Sequence, residues 1–287
     1  MRALVTGAGG MVGRAVVEYC RARGDSVSAF THQTLDITDD EGVRAAFERE
    51  RPEVVFNCAA WTNVDGCEAD PERAFRANAY GPRLLATESR RLGAALLTIS
   101  TDYVFDGAKE GFYTQRDHPR PISVYGSAKL KGEHWAQKAW ARTIIIRTGW
   151  IFGAGGPNFL SKVIEMGQSG ARLRAINDAY GTPTYAKDLA KRLRLLAERD
   201  LPGIYHVVNS GEGASYEEFT RAALAACRCE AQIESISMDS IARPAPRPRN
   251  SRLKCLISEA IGLDPLPLWL DSLKDFAASP SGSKTVV

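Results

Sequence analysis

Over the first 150 residues short apolar runs alternate with amphipathic helical patterns, and this alternation restricts the fold more than any other feature of the chain. The runs "ALVTG", "SVSAF", "VVFNCAA", "ALLTIST" and "TIIIRTG" are short and mostly aliphatic. Between them lie "MVGRAVVEYCRARG", closed by Gly24, and "DDEGVRAAFERERP", stopped by Pro52. "DPERAFRANAYGPRLLATESRRLG", a long helix closed by Gly93, and "VYGSAKLKGEHWAQKAW" follow. Near-continuous apolar strands separated by amphipathic helices predict a parallel sheet covered on both faces. Right-handed crossovers make that a doubly wound, Rossmann-type α/β fold.

After Gly149 the rhythm loosens. "WIFGAGGPNFL" is a glycine-rich loop; "PNFLSKVIEMGQSG", "AKDLAKRLRLLAERD" and "SYEEFTRAALAACR" are expected helices, and "GIYHVV" a strand. "ARPAPRPRNSRL" is too rich in proline to be helical throughout. The expected organisation is a dinucleotide-binding domain over residues 1–150 and mainly a smaller substrate-binding lobe over residues 151–287, some segments of which return to the first domain. The polar end, "SPSGSKTVV", is expected to fray.

With 37 basic against 34 acidic residues, the net charge of +3 is too balanced for a protein that binds nucleic acid or a membrane surface. No apolar run reaches the roughly 18 residues of a membrane span. The chain enters its first strand at "RALVTG" without the long apolar stretch of a signal peptide. Six scattered cysteines include no C-x-x-C, and the C-x-C at 227–229 lacks a second pair. Reduced thiols in a cytoplasmic protein, with no metal, are the expectation.

The motifs carry the chemistry. "TGAGGMVG" follows a strand and opens a helix, with Gly7, Gly10 and Gly13 in G-x-x-G-x-x-G spacing. Such glycines permit a tight turn and close backbone approach to a pyrophosphate, which the helix N-terminus favours. The second strand ends at Thr31, His32 and Gln33, with neither the acid that grips an NAD ribose nor an arginine for a 2′-phosphate. Asp36, with Ile37, either lines an adenine site or caps a turn. "STDYVFDG" begins at the carboxyl edge of a strand, where such folds bind ligands; Thr101 and Asp102 offer a hydroxyl and a carboxylate to a polyol. Tyr125 stands four residues before Lys129, so in a helix both side chains share one face. Such a pair is common on ordinary surfaces, but this helix starts at the ligand edge. There Lys129 can bind the nicotinamide ribose and favour the Tyr125 phenolate, and Tyr125 can protonate a carbonyl oxygen as hydride reaches its carbon.

The set "TGAGGMVG", "STDYVFDG" and "YGSAK" resembles the extended short-chain dehydrogenase/reductase superfamily. "NCAAWTNVDGCEADPERAFRANAYGP", "RTGWIFGAGGPNFL", "INDAYGTPTYAKDLA", "GIYHVVNSG" and "RPRNSRL" narrow the resemblance to the dTDP-4-dehydrorhamnose reductase family, from Met1 to about Phe276. The resemblance implies reduction of dTDP-4-dehydro-β-L-rhamnose to dTDP-L-rhamnose with NADPH or NADH. It implies a catalytic set of Thr101, Tyr125 and Lys129. Met11 and Val12 would lie along the pyrophosphate, Asp36 and Ile37 near adenine, and Ala60, Trp61 and Thr62 in the cofactor cleft. Thr101, Asp102 and Trp150 would hold the sugar, with Val64 and Asp65 beside it. Trp150 offers a flat face to a deoxysugar, or is a core residue.

Two positions depart from the family. Certain relatives carry Mg²⁺ near a dimer contact, held by a glutamate just after the glycines; here Arg14 and Ala15 stand there, so no metal is expected. Gly66 follows Asp65 where a long basic side chain is usual. The oligomeric state, a homodimer among the options, is open. Two rival functions remain: a different nucleotide-sugar 4-ketoreductase, or a non-catalytic NADP-binding regulatory subunit like the methionine adenosyltransferase β subunit.

Because the second strand ends without an acid, NADPH should serve at least as well as NADH. Comparing kcat/KM for the two cofactors checks this; a preference for NADH of about a hundredfold, some 2.7 kcal/mol, would mean that a carboxylate reaches the ribose after all.

Overall fold

The computed structural model of the chain describes residues 1–156, 159–168 and 172–279. Its first half runs β1 (Arg2–Thr6), α1 (Met11–Ala22), β2 (Ser26–Phe30), α2 (Asp40–Glu50), β3 (Val54–Asn57), α3 (Val64–Ala69), α4 (Pro71–Phe75), a π-helical turn (Arg76–Tyr80) and α5 (Gly81–Leu92). β4 (Ala95–Thr101), α6 (Val124–Ala139) and β5 (Thr143–Thr148) complete it. The expected long helix before Gly93 is thus continuous but interrupted by a π turn, and α3 is an element the apolar pattern did not announce. Asn63 caps α3 by accepting from the Gly66 amide at 2.9 Å, and Asp70 caps α4 in the same way through Arg73.

Beyond residue 150 come β6 (Ile151–Phe152), α7 (Phe159–Gln168), β7 (Leu173–Ile176), β8 (Tyr180–Gly181), β9 (Thr184–Tyr185), α8 (Ala186–Arg199), β10 (Gly203–His206), β11 (Ala214–Ser215), α9 (Tyr216–Ala226), β12 (Ile233–Ile236), α10 (Ile257–Ala260) and α11 (Trp269–Ala278). The ends of the helix expected in "PNFLSKVIEMGQSG", and the tail from residue 280 on, lie outside the described residues.

The main sheet has the order β10-β5-β4-β3-β1-β2, and each neighbouring pair is parallel. Successive strand residues point to opposite faces, and the burial shows it. Val5, Phe56 and Leu97 join Val16 of α1 and Leu189 and Leu193 of α8 on one face. Their immediate neighbours Leu4, Val55 and Leu96 join Val43 and Phe47 of α2 and Leu85 of α5 on the other. Both faces are therefore dry at the centre of the sheet, which is why its inner strands are mostly apolar, while β2 at the edge is only partly buried. Two late segments return to this layer: β10 adds the edge strand beside β5, and α8 packs on α1.

The remaining pieces build a small lobe with its own core. Phe152, Leu160, Val163, Tyr185, Phe219, Trp269 and Phe276 pack together under α7, α9 and α11. Three two-stranded pairings, β7–β12, β6–β9 and β8–β11, tie its loops. α9 is stopped from fraying by a capping box, in which Ser215 and Glu218 satisfy each other's backbone amides at 3.1 and 2.7 Å.

The sheet core is the dominant source of stability, and Leu97, 1% exposed, sits in its middle. Leu97→Ala should lower the unfolding free energy by about 2–5 kcal/mol, the transfer cost plus the cavity left behind. Urea denaturation checks it, and a loss below about 1 kcal/mol would show that the sheet face can collapse around the gap.

Candidate active site

Every strand of the main sheet ends on one edge, and the turns leaving β1, β3, β4 and β5 meet there. Beneath them runs a buried polar chain: Thr6 Oγ1 donates to Asn57 Oδ1 and Asn57 Nδ2 donates to Thr98 Oγ1, both at 2.8 Å. It ties the carboxyl ends of β1 and β3 to the middle of β4, which runs on to Thr101. The β1–α1 turn then presses against the chain leaving β3. Gly7 has φ +65°, and a Cβ there would come within 2.6 Å of the Ala59 amide nitrogen. A Cβ on Gly13 would lie 2.2 Å from the Gly7 carbonyl oxygen. Only glycine fits at either place.

This turn exposes the start of α1. Gly10 caps the helix without any side-chain hydrogen bond, and no acidic residue occupies the first turn. The free amides and the positive end of the helix thus face a cleft of about 790 Å³ lined by Gly7, Gly10, Asp36, Ile37, Ala60 and Trp61. Cations border it as well: Arg14, Arg73 and Arg76. The uncapped helix start, the room left by the glycines and these cations fit a dinucleotide pyrophosphate and adenosine.

A second cleft, about 390 Å³, shares Cys58, Ala59 and Ala60 with the first and continues it. Its walls include Met11, Val12, Thr62, Val64, Thr101, Asp102, Tyr125, Lys129 and Trp150. Thus the residues singled out in the sequence gather along one groove, with two exceptions. Gly13 lies behind the turn, against the Gly7 carbonyl. Asp65 does not line the groove: its carboxylate accepts from Arg247 at 2.6 Å and from the Ala245 amide at 3.1 Å. Asp36 combines both of its readings, since it lines the first cleft and caps a turn through the amide and hydroxyl of Thr38, each at 2.9 Å.

Within the second cleft Tyr125 is 9% exposed. Burial pushes its phenol well above the ordinary range; the Thr101 hydroxyl beside it lowers it, and Asp102 and Cys67 push it further up. Lys129 donates its ammonium to the carbonyl oxygen of Ile99 at 2.6 Å, and burial pulls it down to about 8 while Glu133 and Cys58 hold it up. In this structure the lysine is engaged by β4, and Tyr125 is held as a neutral phenol. A neutral phenol is the form that can give up a proton. Asp102 is buried; burial raises it from 3.8 to about 6, and the Ser251 and Thr101 hydroxyls draw it back. Its Oδ2 finds no hydrogen bond in the protein.

Trp150 also differs from expectation. It adopts φ +48°, a left-handed conformation costly for a bulky residue. One face is covered by Tyr216, with ring centroids 3.9 Å apart and planes at 22°. Its indole N–H is buried and without a hydrogen bond, seated where a Cβ on Gly181 would stand.

Two residues beside the first cleft carried no sequence signal. Asn78, in the π turn, holds the Trp61 backbone in both directions at 2.9 Å. Arg73 stacks over Trp61 at 4.4 Å. At the other end Tyr103, with Arg243, Arg247 and Ser251 of the Arg/Pro-rich segment, lines a small pocket beside Trp150 and Tyr216. An asparagine inside a long helix was the one available hint. Among the described residues no group of three or more His, Cys, Asp or Glu could hold a metal ion. Likewise, no helix is long and apolar enough to cross a membrane.

The raised Asp102 has a pH signature. Between about pH 4 and 6 the folded state binds a proton that the unfolded state has lost, so stability falls as pH rises through that window. Asp102→Asn should lack this fall and gain on the wild type by about 2–3 kcal/mol between pH 4 and 7. Urea titrations at several pH values check this, and a constant difference would contradict it.

Comparison with known proteins agrees with this geometry. The family model described as RmlD substrate binding domain matches residues 1–281. A dTDP-4-dehydrorhamnose reductase of Streptomyces griseus is 41% identical, covering 96% of this chain and 92% of its own. A dTDP-4-keto-6-deoxy-D-glucose reductase of Streptomyces niveus is 34% identical, with 95% of each covered. The crystal structure of dTDP-4-dehydrorhamnose reductase from Bacillus anthracis in complex with NADP superposes with a TM-score of 0.93 at 32% identity, over 96% of this chain and 98% of that one. A match of this extent, in sequence and in fold, places the chain in the dTDP-4-dehydrorhamnose reductase (RmlD) family.

Proposed function

We propose that the chain reduces the C4 keto group of dTDP-4-dehydro-β-L-rhamnose to give dTDP-L-rhamnose, with NADPH or NADH. The observation that carries the reading is the continuous groove, which runs from an uncapped helix start at one end to the Thr101–Tyr125 pair at the other. A bound reduced nicotinamide supplies the hydride to the carbonyl carbon. Tyr125 donates its phenolic proton to the carbonyl oxygen, and Thr101 hydrogen-bonds that oxygen, so the keto group becomes an alcohol. Lys129, fixed by Ile99, holds the ribose hydroxyls and places a positive charge beside the phenol as its proton leaves. The unpaired Asp102 Oδ2 is suited to accept from a sugar hydroxyl. Trp150, backed by Tyr216, presents its other face to the apolar side of the 6-deoxyhexose. Gly13 acts by letting the turn form, and Asp65 acts by steering Arg247 toward the nucleotide side. All six cysteines are free thiols, which suits the cytoplasm.

A second reading, a 4-ketoreductase for another dTDP-deoxysugar, draws support from the similarity to the Streptomyces niveus enzyme. Identifying the product formed from dTDP-4-dehydrorhamnose with each cofactor distinguishes the two. It also tests the regulatory-subunit alternative, against which the complete Thr101, Tyr125 and Lys129 set counts.

Loss of the proton donor should be severe without loss of fold. Tyr125→Phe is expected to lower kcat by about 10²–10⁴-fold while the circular dichroism spectrum stays that of the wild type. Near wild-type turnover in the folded variant would remove Tyr125 from the reaction.

A further inference from the structure

Directly below the proposed catalytic groove lies a buried ion pair that the reaction as written does not use. Glu133 is one turn beyond Lys129 on α6, and its side chain is 1% exposed; that of Arg147, on β5, is 4% exposed. Arg147 Nη2 donates to Glu133 Oε2 at 2.7 Å and Nε to Oε1 at 3.0 Å. The Ser100 hydroxyl donates to the same carboxylate. Ser100 and Arg147 are register partners across β4 and β5. Consecutive residues of β4 therefore serve one purpose: Ile99 takes the Lys129 ammonium, Ser100 takes Glu133, and Thr101 stands beside Tyr125.

Fold stability alone does not explain this arrangement. A buried ion pair is on average no better for stability than apolar side chains of the same size. Its position one helical turn from Lys129 gives it another use. A buried ammonium is costly unless a negative charge lies near. The charged or ionisable groups that act on Lys129 are Glu133, from its own helix, and the Cys58 thiol, from the turn after β3. From β4 it meets the Ile99 carbonyl. Arg147, on β5, faces Glu133, and His206, on β10, lies beyond Arg147; burial and Arg147 hold this histidine neutral, down to about 3. Asp102 and Tyr125 stand on the groove side.

We propose that Glu133 is a positioning residue for Lys129: its carboxylate, locked by Arg147 and Ser100, supplies the buried counter-charge that keeps Lys129 an ammonium at the reacting end of the groove. The proposal rests on the placing of Lys129 in the reductase reaction. A carboxylate held by two fixed donors cannot swing toward Lys129 and occupy its donors in a direct pair, so the lysine stays charged and still free to donate.

The test reads Lys129 itself. In the full chain, with lysines labelled at ¹³Cε and the Lys129 signal assigned through Lys129→Arg, the wild-type titration should fall near 8. Glu133→Gln should move the midpoint down by about one unit or more, and the alkaline limb of the kcat profile should move with it. Since Glu133→Gln leaves Arg147 buried without its partner, Glu133→Gln/Arg147→Met is the second variant, with both charges removed. It too should titrate lower than the wild type. A wild-type midpoint in either folded variant overturns the proposal, as does a kcat profile that ignores a shifted midpoint. The titration needs no turnover, so its failure is distinct from that of the reductase reading, which the wild-type product assay decides.

Discussion

A parallel sheet ends all of its strands on one edge, and everything functional in this chain depends on that constraint. Thr6 and Asn57 close β1 and β3 in register, Thr101 and Thr148 close β4 and β5 in register further along, and the turns after them have nowhere to go but over the same edge. The sheet is dry on both faces, so polar chemistry cannot be placed along it and gathers where the strands stop. The Thr6–Asn57–Thr98 hydrogen bonds link the ends of β1 and β3 to β4, and the Gly7 turn can then press against Ala59 without a side chain between. The proposed cofactor end of the groove is thus a consequence of strand packing, and the helix that opens there has no side-chain cap.

The other end of the groove works by electrostatics in a buried setting. Tyr125, Lys129, Asp102, Glu133, Arg147 and His206 are all buried, on α6, β5, β10 and the turn after β4. In such surroundings each charge is set by its neighbours more than by solvent. Tyr125 is kept neutral and Lys129 is held to β4, while the ion pair of Glu133 and Arg147 stands behind the lysine. A neutral phenol and a positive charge are presented together, although the two groups ordinarily titrate close to one another.

Much of this was legible before any coordinates. The boundaries of β4 coincide with "ALLTIST", because a strand buried on both faces is mostly apolar, and those of β2 coincide with "SVSAF", although β2 lies at the sheet edge and only Phe30 of it is fully buried. The glycine turn and the Tyr125–Lys129 pair were legible for a similar reason: each depends on spacing along one local element. Asp65 was not. Its proposed place beside the sugar assumed that a residue near the groove faces it, whereas Arg247, 182 positions later, claims the carboxylate. Trp150 was half legible, for its place at the end of a strand is local but its stacking on Tyr216 and its seat at Gly181 are not.

The same division runs through the whole molecule. Local periodicity and backbone demands determined the strands, the helices, the glycine turn and the pairing of tyrosine with lysine, since these are set by residues within a few positions of one another. Tertiary structure alone decided which charges meet. Nothing in "RTGW" or "KGEHW" tells that Arg147 and Glu133 share a buried bond, or that β10 comes back to cover β5. Contacts of that kind depend on how elements far apart in the chain are stacked, and the energy that favours them arises only when water has been excluded from between them.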